Sequence, residues 1–98
     1  MPQLSRISRN NTSTTVDAQG RIDSVILYQT RILSIDWKAG EIEVDTGGYN
    51  TVTTQTRLNQ AFNQLGLPFY ASRLRGEFSI SGSRSGGVSV GQTHTRHF

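Results

Sequence analysis

The chain has 98 residues, no cysteine, only two histidines and a formal net charge of +3. That length supports one domain, and the lack of cysteine excludes disulfides and thiolate metal sites as sources of stability. No apolar run approaches the ~20 residues of a membrane span, and the opening MPQLSRISRNN lacks the apolar core of a signal peptide. A soluble protein made inside a cell is the expectation. The position of the charge says more than its sum. Six basic residues (Arg21, Arg31, Lys38, Arg57, Arg73, Arg75) face six acidic ones (Asp23, Asp36, Glu41, Glu43, Asp45, Glu77) between Arg21 and Ile80. The excess lies in the ends, where Arg6, Arg9, Arg84 and Arg96 stand against Asp17. Basic ends supply unspecific phosphate attraction without readout, so the charge pattern argues weakly for nucleic acid.

Residues 1–20 are polar, rich in Ser, Thr and Asn, and without periodicity, which predicts a tail. RIDSVILY reads as a β-branched strand. In RILSIDW, Leu33, Ile35 and Trp37 alternate with polar residues, and EIEVD returns with Ile42 and Val44 inward. A three-residue loop, Lys38-Ala39-Gly40, joins these two strands. Gln29-Thr30 is either a turn or a bulge. Between Asp45 and Pro68 the chain then reads as a Gly-Gly turn and one amphipathic helix, with Leu58, Ala61, Phe62 and Leu65 on its apolar face and Asn59, Gln60, Asn63 and Gln64 opposite. Of Thr51, Thr53 and Thr54, all able to cap, Thr53 is the expected N-cap. Gly66 suits the left-handed position after the last turn and Pro68 prevents continuation. PFYASRLR and EFSIS predict two more strands, with Phe69, Ala71, Leu74, Phe78 and Ile80 inward. The Gly/Ser-rich stretch 82–98 reads as a second tail with a short strand at 88–90.

The order is thus β-β-β-α-β-β: an α+β domain of about five antiparallel strands, with one helix packed on one face, spanning 21–81 between flexible tails. The run TGGYNTVTTQTRLNQ, between a hairpin and NQLGLPF, resembles a group of small tailed-phage proteins. These share a strand, a T/S-G-G-aromatic turn, a Thr-rich helix start, Arg-x-Asn-Gln in the helix, and two closing strands. Thr46, Gly47, Gly48, Tyr49, Thr51, Thr53, Thr54, Arg57, Asn59 and Gln60 carry the likeness over roughly residues 25–80. The closing strand departs from it, with Glu77-Phe78 where those proteins often have Trp-Tyr. The resemblance implies a viral origin, in host cytoplasm or virion, and no activity.

An enzyme is not expected. His94 and His97 have no carboxylate near in sequence, no nucleophile elbow is present, and the alternating Glu41, Glu43 and Asp45 read as the wet face of a strand. Neither a metal nor a cofactor is called for. The chain is therefore expected to act by binding a protein, through homo-oligomerisation, a larger assembly or inhibition of a host factor. Trp37, Tyr49, Tyr70, Arg73 and Arg75 are the candidate contact residues. The alternative is a nucleotide- or nucleic-acid-binding accessory protein. In that reading Gly47, Gly48, Thr51, Thr53, Thr54 and Arg57 form a phosphate site at the helix N-terminus, because turn amides, hydroxyls and the helix dipole all favour an anion.

Overall fold

The computed structural model describes Ile7 and residues 11–47, 51–75, 77–82, 88–90 and 93–98, the side chains of Leu74 and of 88–90 excepted. The fold is α+β. Among the described residues are eight strands, β1 (Thr12–Val16), β2 (Ile22–Leu27), β3 (Thr30–Asp36), β4 (Glu41–Asp45), β5 (Tyr70–Leu74), β6 (Glu77–Ser81), β7 (Val88–Val90) and β8 (Thr93–His97), and one helix, α1 (Val52–Leu65). Six strands form an antiparallel sheet in the order β1-β2-β3-β4-β8-β7, and β5-β6 form a separate hairpin.

Pairing along the ladder puts Val25, Leu33, Ile35, Ile42 and Val44 on one face of the large sheet, all buried. Helix α1 covers that face with Leu58, Ala61 and Phe62, and the hairpin adds Phe69, Ala71, Phe78 and Ile80. The β2–β3 connection is a two-residue turn, Tyr28-Gln29, and the ladder also contains a bulge: the register passes from Val25↔Leu33 to Ile26↔Arg31, leaving Ile32 extra. A bulge lets consecutive residues share a face, and Ile32 and Leu33 are both buried.

The loop between β3 and β4 has four residues, with Trp37 joining Lys38, Ala39 and Gly40 outside the ladder, because Asp36 already pairs with Glu41. Asp36 holds this loop by accepting from the amides of Lys38 (3.1 Å) and Ala39 (2.9 Å).

The helix ends where Gly66 takes φ 68°, its N–H directed at Asn63 and Phe62 carbonyls. Its start differs from the expectation. Thr51, not Thr53, is the N-cap, with extended backbone and a side chain that accepts from Thr54 N at 3.2 Å. Both threonines have the right hydroxyl, but only Thr51 lies before the first helical residue. Thr51→Ala is expected to cost about 1 kcal/mol in thermal or denaturant unfolding, and Thr53→Ala a few tenths.

Strands also occupy the segments read as tails. Residues 12–16 pair with β2, and 93–97 pair with β4 residue by residue. Asp17 closes the β1–β2 hairpin by accepting from the amides of Gln19 and Arg21, both at 2.9 Å. The Arg21 amide is the main cause that holds the Asp17 carboxyl below its usual range. Ile7 packs against the core, and its N–H reaches Gln64 Oε1 at 2.8 Å. At the other end Phe98 N–H donates to Gly40 O, and the Phe98 ring joins an edge-on aromatic path from Trp37 (5.6 Å) to Phe69 (6.2 Å). Arg96 Nε donates to Ile80 O at 3.0 Å and so ties the large sheet to the hairpin.

Candidate functional site

The inward face of the large sheet changes character at one end. Val25, Leu33 and Val44 form an apolar row across β2, β3 and β4. Beyond them, toward the β2–β3 turn, the inward positions are Thr12 and Thr30, which flank Leu27 in the ladder, and Thr46, which continues the alternation of Ile42 and Val44. A cleft of about 960 Å³ opens here. Thr12, Thr30, Thr46, Thr51 and Thr54 line it, with Leu27, Ile32 and Tyr28 contributing apolar and aromatic surface.

Two contacts fix the wall nearest the helix. The hydroxyls of Thr51 and Thr54 lie 3.1 Å apart, and Thr54 is buried. Gly47, with φ 62°, brings its backbone so close to Thr30 that an added Cβ would stand 2.8 Å from Thr30 Cγ2. A side chain is excluded there by both conformation and space. Thr46 is 1% exposed, and its Oγ1 has no hydrogen-bond partner among the described residues. Buried hydroxyls are ordinarily paired, so this one is an exception that calls for a cause.

The phosphate-site residues read from the sequence separate into two groups. Thr51 and Thr54 line the cleft, and Gly47 abuts its Thr30 wall, whereas Thr53 is exposed beyond the cap and does not line it. Gly48 lies outside the described residues, as does Tyr49 from the contact set. Arg57 points to β1, where Nε donates to Thr12 Oγ1 at 3.0 Å and Nη1 to Gln60 Oε1 at 3.4 Å. Thr12, Thr30 and Thr46 were not among the predicted site residues; their signal was a threonine at each inward position just past an apolar row.

The contact residues do not form one patch. Trp37 is half-buried, donates Nε1–H to Ile22 O at 2.9 Å and lies under the Arg21 guanidinium at 5.3 Å. Tyr70 is exposed, and alternation along β5 puts it on the opposite side of the hairpin from Arg73, which pairs with buried Phe78. Arg75 sits at the hairpin turn with φ 55°.

Asn59 and Gln60, expected on the wet side of the helix, are buried. Asn59 Nδ2 donates to Ala71 O at 2.9 Å while its Oδ1 accepts from Ala71 N at 2.7 Å. The side-chain amide thus completes the edge of β5 as a neighbouring strand would.

His94, expected in a solvated tail, is buried on β8 opposite Val44; burial first, and the Arg96 charge second, hold its pKa below the usual value. His97 lies on the same strand, with Nε2 3.5 Å from a Glu41 carboxylate oxygen. Among the described residues, no group of three His, Asp or Glu side chains is placed to hold a metal, and no helix is long and apolar enough to cross a membrane.

Residues 2–81 match the Kyanoviridae Gp96 protein family, a family of cyanophage proteins. The chain belongs to that family and is a tailed-phage protein. The matched range takes in β1 and ends with β6, before β7 and β8. Neither a curated protein nor a solved structure matches the chain.

Proposed function

We propose that this phage protein is a non-enzymatic assembly protein that joins a second copy of itself through the open edge of β1. The observation that carries the reading is the character of that edge. Among the described residues strand β1 has β2 on one side only, and its five residues TSTTV include neither a charge nor a proline. Sheets usually guard such edges with lysine, proline or inward charges, since an open ladder recruits another strand.

The register defines which groups face outward. Tyr28 N–H donates to Asn11 O, so the ladder alternation makes Ser13↔Ile26 and Thr15↔Ser24 the bonded pairs. The N–H and C=O of Thr14 then point away from β2. Two β1 strands meeting antiparallel at Thr14 would exchange these groups across a twofold axis, and an uncharged strand does not repel its own copy. The balanced charge between Arg21 and Ile80 favours a protein partner over nucleic acid in the same way.

Light scattering on the full chain over a concentration series tests this. The mass is expected to double as concentration rises, with little dependence on salt. Thr14→Pro removes the outward N–H without touching a bond to β2, and Thr14→Lys sets like charges opposite each other; either is expected to hold the chain monomeric. A chain that stays monomeric at millimolar concentration and binds DNA or RNA in a steeply salt-dependent manner would overturn the proposal.

A further inference from the structure

We propose that the threonine-lined cleft binds a phosphorylated small molecule of the mononucleotide class, with its phosphate at the Thr46–Thr51–Thr54 end. The inference stands apart from self-association through β1. Its basis is two independent features that converge on one place. Helix α1 runs 14 residues, and its N-terminus carries amides and a positive dipole end. Thr46 lines the same cleft, and its buried hydroxyl has no partner among the described residues.

Among the described residues no group of the fold bonds this hydroxyl. Thr46 follows Ile42 and Val44 on the inward side, where valine has the same shape and no desolvation cost. A threonine there is explained by a ligand that supplies the missing bond. The neighbouring pair has a donor to spare as well. The Thr51 and Thr54 hydroxyls carry two protons and share one mutual contact, so one proton remains for an acceptor. Converging donors around a helix N-terminus suit the oxygens of a phosphate.

The rest of the cleft identifies the class. Among the described residues no charged side chain lines it, and the hydroxyls and helix amides at hand suit a single phosphate group. Leu27 and Ile32 provide an apolar floor, and Tyr28, 68% exposed, brings an aromatic ring to the opening. These surfaces accept a planar ring. At about 960 Å³ the cleft has room for a nucleoside together with its phosphate.

The full-length chain is titrated with adenosine monophosphate, ribose 5-phosphate, inorganic phosphate and adenosine, following backbone amide shifts by NMR and the melting temperature. The nucleotide is expected to shift the amides of Thr46 and of Val52 to Thr54 and to raise the melting temperature by mass action. Inorganic phosphate is expected to move the same amides more weakly. Thr46→Val is expected to melt at or above the temperature of the unmodified chain while binding the nucleotide about tenfold more weakly, the loss of one bond to a charged group. Thr30→Val is a second isosteric probe of the same wall, expected to weaken binding without unfolding the chain. Absence of any shift at millimolar concentration for every phosphate compound would overturn the proposal. So would undiminished binding to both variants, or equal binding of adenosine without its phosphate.

Discussion

A chain ending at Ser81 is expected to lose cooperative unfolding altogether, despite retaining the helix and every residue whose periodicity is recognisable. Several sets of contacts leave with residues 82–98. Strand β8 pairs with β4 from Glu41 to Asp45, so the loss of β8 and β7 turns β4 into an open edge of the large sheet. Buried His94 stands opposite Val44, whose side chain would become wet. Arg96 and Phe98 link the sheet to Ile80, Trp37 and Phe69. Lost ladder bonds and exposed apolar area together come to on the order of 5 kcal/mol, comparable with the whole stability of a small domain. Near- and far-ultraviolet circular dichroism during a thermal ramp would show it: residual secondary structure, no sharp transition. A truncated chain that melts as sharply as the full one would mean that β8 adds nothing to the fold.

Asn59→Ala is expected to be nearly as damaging as a large core deletion, although it removes only a polar side chain. Ala71 is fully buried, and its N–H and C=O both depend on the Asn59 amide. Gln55 Nε2 also points at Ala71 O, but at 3.4 Å, and it offers nothing to the N–H. Stranding a buried backbone donor and weakening its acceptor should cost about 2–4 kcal/mol. Asn59→Asp sharpens the test, since it keeps the acceptor for Ala71 N–H but turns an oxygen toward Ala71 O. It should be at least as destabilising at neutral pH, where a carboxylate would also be buried. Denaturant unfolding of the three proteins checks this; losses below about 0.5 kcal/mol would be those of an exposed polar residue and would contradict the role given to Asn59.

These two cases show which parts of the fold were legible in the sequence. The helix was readable because Leu58, Ala61 and Phe62 recur at helical spacing and Gly66 ends it with the left-handed turn found in the structure. The β3 and β4 strands were readable because Ile35, Ile42 and Val44 alternate with polar residues across a short loop. Strands β1 and β8 were not. TSTTV and THTRH bury almost no apolar side chain, so they carry no periodicity, and their place is set by backbone pairing with distant partners. Asn59 was placed on the wet face for a related reason. An amide belongs in a core only when a specific partner satisfies it, and Ala71, 12 residues on, is invisible to a local reading.

The candidate site was legible in part. Thr51, Thr54 and Gly47 were picked out by the chemistry of a helix start and a turn. Thr12 and Thr30 come from β1 and β3 and Thr46 directly follows β4, and only the sheet register brings them into one cleft. Arg57 was read as a charge for the site, whereas it secures β1 to the helix through Thr12.

Residue-resolved amide exchange on the full chain at two protein concentrations tests the assembly proposal most directly. Ser13 and Thr15 donate toward β2 and are expected to be protected at both. Thr14 faces away from β2, so its amide is expected to exchange quickly when dilute and to slow as the concentration rises and a second β1 pairs with it. A Thr14 amide that exchanges at the same fast rate in both samples, while the chain associates, would place the interface elsewhere and contradict assembly through this edge.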